Sequence, residues 1–158
     1  MPLLAFPASR CLGGHTRTRD VYGEIGVVQF DAHADLREEF EGTPYSHASV
    51  MKRIVDEGIP TLAVGIRSLS TPEAKLVKER GLPVIWGHQL DRAEELFPAM
   101  LAALPEKIYL TFDIDYFDPS LVPAYTADSV ARTDVLMPAP SFCCHSMRTA
   151  MGDSIRAT

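Results

Sequence analysis

The chain has 158 residues, of which 46% are hydrophobic and 23% are charged, and its formal net charge is −6. These values are typical of one soluble domain, and the negative balance disfavours nucleic acid as a partner, because binding to a phosphate backbone depends on basic surfaces. No apolar run approaches the roughly 18 residues of a membrane span, and the opening is too short and too interrupted by proline for a secretory signal. The three cysteines form no disulfide framework. We therefore expect a cytoplasmic protein without membrane contact.

Strand patterns alternate with helical patterns through the middle of the chain. Apolar, β-branched runs predict four strands, over residues 24–30, 61–66, 82–87 and 107–115. Helical spacing of apolar residues, with caps and glycine stops, predicts three helices, over residues 46–58, 70–81 and 90–106, the last with a break at Pro98. Strands separated by helices of this length indicate a mainly parallel α/β sheet that is covered on both faces.

The two ends of the chain lack this alternation. Residues 1–23 carry no clear period, and from Pro123 onward both strand and helix periodicity are lost. A short element is expected only around four apolar residues, Val130, Val135, Leu136 and Met137. An irregular tail of this length is unusual on a compact domain. We therefore predict a domain over residues 1–123 and a divergent C-terminal tail over residues 124–158.

Two of the predicted strands end in acidic clusters. Asp31, His33 and Asp35 follow the run "IGVVQF", and Asp113 and Asp115 follow the run "KIYLTF". Ligands of open α/β sheets bind beyond the carboxyl ends of the strands, so two parallel neighbouring strands would bring both clusters to one rim. Because alternate residues of an extended segment project to the same side, we expect all five side chains to converge.

These five side chains supply four carboxylates and one imidazole, which is an oxygen-rich set of ligands. Such a set suits Mn²⁺ better than Zn²⁺, which prefers thiolate and imidazole in closed structural sites. The ligands outnumber the needs of one ion, and packed carboxylates without metal would repel each other. Two bridged cations would resolve both problems and could polarise a shared water into hydroxide. The alternative, an acidic loop or a pair of helix N-caps, explains either motif alone better than it explains the matched pair.

The stretches "FDAHADL" and "TFDIDYFDPS" resemble two signature motifs of the ureohydrolase family, which includes arginase and agmatinase. The similarity runs from about Gly26 to Pro123 and includes "YSHASVMKRI" and "VGIRSLSTPE"; "DLREEFEGTPYSHASVMKRI" is most similar to bacterial and archaeal agmatinases. The resemblance implies a three-layer α/β/α fold, a dinuclear manganese site, and hydrolysis of guanidino compounds to urea and an amine. It also implies assembly into homo-oligomers, often trimers or hexamers.

The resemblance further implies a role for each residue of the two motifs. Asp31 and Asp113 would bridge two manganese ions. His33 and Asp115 would complete the coordination of one ion, and Asp35 that of the other. The metal-bridging hydroxide would then attack the carbon of the guanidinium group.

Two further histidines match the family in part. His47 matches its mobile histidine, so we expect a proton shuttle that protonates the departing amine near pH 7; the alternative is a helix-start histidine bonded to backbone. His15, in "LGGHT", resembles the last residue of the family's Gly-Gly-(Asp/Glu)-His metal segment, although the acidic residue is missing. His15 is therefore the candidate sixth metal ligand, and its alternative is a disordered N-terminal histidine.

The chain departs from the family after "DPSLVP", where no glycine-rich loop follows and the late glutamate that holds the guanidinium cannot be assigned. We therefore expect a truncated, incomplete ureohydrolase domain. Agmatine is the favoured small-molecule substrate, giving putrescine and urea, and arginine is disfavoured because Arg37 stands where arginase has a carboxylate-binding asparagine. The alternatives are an inactive remnant that binds metal poorly, a subunit that acts only by association, or an arginase, guanidino-acid or formimino hydrolase.

Overall fold

The computed structural model describes residues 19–118 and the backbone of two further strands, residues 5–6 and 132–138. Its six strands are β1 (Ala5–Phe6), β2 (Gly26–Phe30), β3 (Thr61–Ile66), β4 (Val84–Trp86), β5 (Lys107–Asp113) and β6 (Arg132–Pro138). They form one sheet in the order β1-β6-β5-β2-β3-β4. The pairs β5–β2, β2–β3 and β3–β4 are parallel, whereas β6 pairs antiparallel with β5 and with β1.

Three α-helices connect the parallel strands: α1 (Val50–Asp56), α2 (Thr71–Arg80) and α3 (Ala93–Leu101). Short 3-10 turns precede α1 and α3 and follow β5, over His47–Ser49, Gly87–Arg92 and Ile114–Tyr116. None of the helices in the described part of the chain has both the length and the apolar character that a membrane crossing requires.

The sheet carries a hydrophobic core on each face. One core includes Val50 and Ile54 of α1 and Val77 of α2, packed against Val27 of β2. The other packs Phe97 of α3 with strand residues that include Val28, Leu62 and Ile108. Helices therefore cover both faces of a mainly parallel sheet, as the alternation of patterns predicts, and the three layers α/β/α are present.

The predicted elements occur in the predicted order, with corrections at their ends. Strand 61–66 has the predicted bounds, but the predicted helix 46–58 begins as a 3-10 turn, and α3 ends at Leu101 instead of 106. The latter expectation was wrong because the amides of Ala103 and Leu104 bond to carbonyls three residues back, at 3.2 and 3.0 Å, which closes the helix. Pro98 lies inside α3.

The predicted tail contains a regular element. Strand β6 lies within residues 124–158 and includes Val135, Leu136 and Met137. Val130 lies outside the described residues. The pairing of β6 with β5 extends the sheet beyond the strand that carries Asp113. The tail is therefore not irregular throughout, because residues 132–138 add a strand to the sheet.

Glu73 connects α2 to the loop that follows the first acidic motif. Its side chain is 5% exposed. Oε2 accepts hydrogen bonds from the Ser70 amide and hydroxyl, each at 2.7 Å, and Oε1 accepts one from the Leu36 amide at 3.0 Å. One buried carboxylate thus caps a helix and holds the loop between Asp35 and α1 against it.

Substituting Glu73 with alanine is expected to lower the free energy of unfolding by about 3 kcal/mol, because the variant loses hydrogen bonds to a charged group and leaves buried donors unpaired. Urea denaturation followed by circular dichroism measures this change. The matched control is Glu79→Ala on the same helix. Glu79 forms an exposed ion pair with Lys75 at 3.6 Å, and its loss should lower the free energy of unfolding by less than about 1 kcal/mol. Equal losses for the two variants would refute the tethering role of Glu73.

Gly65 in β3 lies directly against Tyr116, whose ring is 4% exposed. Gly65 has a φ of +93°, and a Cβ at this position would lie 2.5 Å from Cδ2 of Tyr116 and 3.2 Å from the carbonyl oxygen of Asp31. Tyr116 in turn packs edge-on against Phe30, with ring centroids 5.3 Å apart. The absence of a side chain at Gly65 therefore allows the turn after β5 to close onto the sheet.

The variant Gly65→Ala is expected to be less stable by about 3 kcal/mol, through left-handed backbone strain and overpacking against Tyr116. Gly58→Ala is the control, because Gly58 also has a positive φ, +72°, but has nothing within 4 Å of the added Cβ. Thermal unfolding of both variants separates the cost of backbone strain, which both share, from the cost of overpacking, which only Gly65→Ala has. A Gly65→Ala protein that is no less stable than Gly58→Ala would contradict the close approach of Tyr116.

Candidate metal centre

The two acidic motifs meet at the carboxyl ends of neighbouring parallel strands. In the pairing of β2 with β5, Phe30 lies opposite Phe112. Asp31 directly follows β2, and Asp113 is the last residue of β5. Both carboxylates are buried, at 1% and 5% exposure. The expectation that the two clusters share one rim of the sheet is confirmed for these two residues.

Turns, and not strand alternation, bring the remaining side chains to this rim. β2 ends at Phe30, so His33 lies in a loop, and Asp115 lies in the 3-10 turn that follows β5. The predicted continuation of the strand to residue 115 was wrong because the Asp113 carboxylate accepts a hydrogen bond from the Asp115 amide at 3.2 Å, which favours a turn. Similarly, the Asp31 carboxylate accepts from the His33 amide at 2.7 Å.

Asp31, His33 and Asp115 form a compact cluster. Nδ1 of His33 lies 2.8 Å from Oδ2 of Asp115 and 3.7 Å from Oδ1 of Asp31. Asp115 also accepts a hydrogen bond from the Ala32 amide at 3.1 Å, which links the two motifs directly. One ligand atom from each of the three side chains lies within 4.8 Å of the other two. This spacing is suited to a shared cation.

The charges of the cluster shift the pKa values of His33 and Asp115. The hydrogen bonds to Asp115 and, second, to Asp31 raise the pKa of His33 to about 10. Burial of Asp115 opposes its ionisation, but the hydrogen bonds from His33 and the Ala32 amide bring the pKa of this carboxyl below its usual value. The carboxylates thus retain a proton on the imidazole, and a metal ion at the same place would have to displace that proton.

Asp35 reaches the same cleft by an unusual backbone conformation. It has a φ of +52° and is 5% exposed. Aspartate is one of the few residues other than glycine that adopt the left-handed region without large strain. The cleft has a volume of about 400 Å³ and is lined by all five predicted ligands, Asp31, His33, Asp35, Asp113 and Asp115.

The donor set fits a cation of the predicted kind. Three of its carboxylates, on Asp31, Asp35 and Asp113, are at most 5% exposed. Buried carboxylates that share one rim repel each other unless a positive charge lies between them. The imidazole of His33 supplies one such charge only while it is protonated. Oxygen-rich sites of this composition suit Mn²⁺, Mg²⁺ or Ca²⁺ better than a structural Zn²⁺.

His47 lies at the wall of the same cleft. It begins the 3-10 turn before α1 and is exposed, and its ring stands edge-on to Phe40 with centroids 5.4 Å apart. Arg37 is also exposed and lies over the ring of Phe40, with its guanidinium carbon 5.1 Å from the ring centroid. Within residues 19–118 no hydrogen bond ties the His47 ring to the backbone, so it is available to the cleft. His15 lies outside the described residues.

Arg67 fixes the turn that carries Asp115. Its guanidinium donates hydrogen bonds to the carbonyl oxygens of Gly65 at 3.5 Å, Tyr116 at 3.2 Å and Phe117 at 3.1 Å, and to that of Asp115. The amide of Arg67 donates to the Ala32 carbonyl at 2.9 Å. A planar group with five donors can hold several carbonyls at once, so the end of β3 positions both acidic motifs.

The predicted site includes neither Arg67 nor Gln29, and Glu73 is predicted only as an acidic residue in the first turn of its helix. The partners of Arg67 at Asp115, Tyr116 and Phe117 lie 48 to 50 residues away in the chain, and the Leu36 amide lies 37 residues from Glu73, so no local pattern indicates these contacts. The contact of Glu73 with Ser70 is local and forms a capping box. Gln29 did carry a signal, because a polar residue inside the apolar run "GVVQF" must find partners when the strand is buried.

Comparison with known proteins gives a consistent result. Residues 5–130 match the model of the Arginase family. An N(1)-aminopropylagmatine ureohydrolase of Thermococcus kodakarensis is 44% identical over 117 residues, covering 72% of this chain and 40% of that protein. An agmatinase of Pyrococcus horikoshii is 36% identical over 96 residues, covering 61% of this chain and 33% of that protein. The arginase of Medicago truncatula superposes with a TM-score of 0.61 at 31% identity, covering 73% of this chain and 38% of that structure.

The matched region is a part of each relative. The chain spans between 32% and 40% of the length of the curated relatives that it matches. The family match continues past the boundary predicted at residue 123 and ends at 130. The fold of the matched region is that of arginase-like proteins.

Proposed function

The chain belongs to the arginase family, and we propose that it acts as a metal-dependent ureohydrolase that cleaves a guanidino compound into urea and an amine. The observation that carries this proposal is the convergence of Asp31, His33, Asp35, Asp113 and Asp115 on one cleft of about 400 Å³. The names of the relatives, among them agmatinase and N(1)-aminopropylagmatine ureohydrolase, support the class of reaction.

We propose that two Mn²⁺ ions occupy the rim. The ions would be held by Asp31, His33, Asp35, Asp113 and Asp115; the short distances among Asp31, His33 and Asp115 support a shared cation at these three side chains. When bound, such a metal pair supplies Lewis acidity and activated water at neutral pH. His15 is a proposed further ligand, which a His15→Ala variant tests through its manganese stoichiometry.

The side chains of the cleft would then divide the remaining tasks. His47, exposed on the wall, would give its proton to the departing amine nitrogen, which is general acid catalysis. Phe40 limits the freedom of the His47 ring by edge contact at 5.4 Å.

Agmatine or its N(1)-aminopropyl derivative is the proposed substrate, and the amine product would be putrescine or spermidine accordingly. The relatives' names support these cationic substrates. A guanidino acid is the second candidate, because Arg37 also lines the cleft and a guanidinium can bind a carboxylate in two places.

Metal binding without turnover is the competing proposal. Among the described residues that line the cleft, Glu73 is the one carboxylate outside the metal set, and hydrogen bonds occupy both of its oxygens. The described lining of the cleft therefore offers no free carboxylate to hold the guanidinium.

One pair of assays decides between these proposals. The purified chain is loaded with Mn²⁺, its metal content is measured, and urea release is followed with agmatine, N(1)-aminopropylagmatine, arginine and a guanidino acid in parallel. Two ions per chain with urea release from the cationic substrates supports the proposed function. Metal binding without urea release supports the competing proposal. Light scattering on the same sample tests for the trimer or hexamer that family resemblance implies.

A further inference from the structure

We propose that Gln29 is a positioning residue that fixes the Asp31 carboxylate and the His33 main chain in the arrangement that binds metal, an inference that rests on the proposed function. Gln29 lies in β2, two residues before Asp31, and is 0% exposed. Its Nε2 donates to Oδ2 of Asp31 at 3.0 Å and to the carbonyl oxygen of His33 at 3.1 Å. One amide group thus contacts two neighbouring metal-ligand residues from beneath the rim.

The chemistry of the partners determines the orientation of this amide. Both partners, a carboxylate and a carbonyl, are acceptors, so the NH₂ group of Gln29 must face them. The other carboxylate oxygen of Asp31 accepts from the His33 amide at 2.7 Å. The two oxygens are therefore held by different donors, one from the side chain of Gln29 and one from the backbone, and this fixes the plane of the carboxylate.

Packing alone does not explain a glutamine at this position. Its Oε1 is buried and has no hydrogen-bond partner among the described residues. Next to it is a small cavity of about 20 Å³, whose lining includes the apolar residues Ala34, Met51 and Ala63. An apolar side chain of similar length would fill this environment without a buried, unsatisfied oxygen, which destabilises a fold. A destabilising side chain such as Gln29 is expected to persist beside a functional cluster when it contributes to the function of that cluster.

The Gln29→Met variant tests the inference, because methionine retains the length of the side chain and removes both donors. Isothermal titration of the full chain with MnCl₂ is expected to show an affinity about 10- to 100-fold weaker than that of the unaltered protein. The matched control is Thr111→Val. Thr111 is the direct partner of Gln29 on β5 and is 2% exposed, so this change perturbs the same buried layer without touching Asp31.

Three results would overturn the inference: an unchanged manganese affinity in Gln29→Met, an equal loss in Thr111→Val, or a loss that disappears when affinity is corrected for the folded fraction. If Gln29→Met does not fold, the variant Gln29→Asn is tested in its place, because the shorter side chain of asparagine cannot reach Asp31. An unchanged manganese affinity in Gln29→Asn would also contradict the inference. An unaltered protein that binds manganese but releases no urea refutes the proposed function only, and the affinities of the variants still decide the role of Gln29. An unaltered protein that binds no manganese overturns both.

Discussion

Replacing Asp31 with asparagine is expected to abolish manganese binding and to lower urea release by at least about 1000-fold, because the activation of water near neutral pH depends on the metal. Asp31 is 1% exposed and contacts Gln29 through one carboxylate oxygen and the His33 amide through the other. An asparagine has nearly the same shape but no negative charge. The amide nitrogen of this asparagine is a donor, so it would face one of the two donors that now bond to Asp31, the Gln29 side chain or the His33 amide.

The fold should tolerate this change. Neutralising one of three buried carboxylates relieves repulsion in the metal-free protein, whereas the opposed donor costs a buried hydrogen bond. Because these two effects have opposite signs, the melting temperature should change little. Metal content by mass spectrometry, urea release and thermal unfolding are measured together. Asp91→Asn is the control, since Asp91 is exposed on the turn before α3. Stoichiometric manganese in Asp31→Asn would refute the central position of Asp31 in the site.

A His47→Asn variant is expected to lose about 100- to 10,000-fold in kcat, which is the range of one general acid or base, while its manganese content stays unchanged. His47 lines the cleft, but it is separate in the chain from the metal motifs and is not part of the compact cluster of Asp31, His33 and Asp115. Asparagine can still donate a hydrogen bond from this position, but it cannot transfer a proton near neutral pH. The defect should therefore affect turnover more than metal binding.

The control for this variant is His88→Asn. His88 is also exposed, but it lies in the 3-10 turn after β4 and outside the cleft lining. Steady-state kinetics with agmatine and metal analysis are performed on both variants. Loss of manganese from His47→Asn would make His47 a ligand, and an unchanged kcat would remove it from the chemistry. Either result would contradict the proton-transfer role.

The sequence was sufficient to predict the order of the elements and the rim of the site. The strand over 61–66 was predictable from a β-branched apolar run, and α2 from a cap at Ser70 or Thr71 and the stop at Gly81, because these signals are local. The meeting of Asp31 with Asp113 followed from a general rule about parallel sheets. That rule needs only the direction of the strands and no detail of the loops.

The geometry of the loops was not predictable in the same way. The turn at Asp115 begins with a local hydrogen bond from its amide to the Asp113 carboxylate. Its bonds with the Ala32 amide and the Arg67 guanidinium form only when β2, β3 and β5 are side by side. A pattern of alternate residues predicted the correct meeting point for an incorrect reason, because these residues are not in extended strand. Long-range partners such as Arg67 and Asp115 leave no periodic trace in a single sequence.

The guanidinium of Arg67 connects a third strand to the metal rim. Although β3 supplies none of the predicted ligands, Arg67 directly after it donates hydrogen bonds to the carbonyl oxygens of Asp115, Tyr116 and Phe117. Substitutions that shift the end of β3 would therefore tune metal affinity without altering a ligand, which gives protein engineers a way to adjust the centre from outside. Because lysine cannot reproduce this planar set of donors, position 67 should tolerate far less variation than its exposure to solvent suggests.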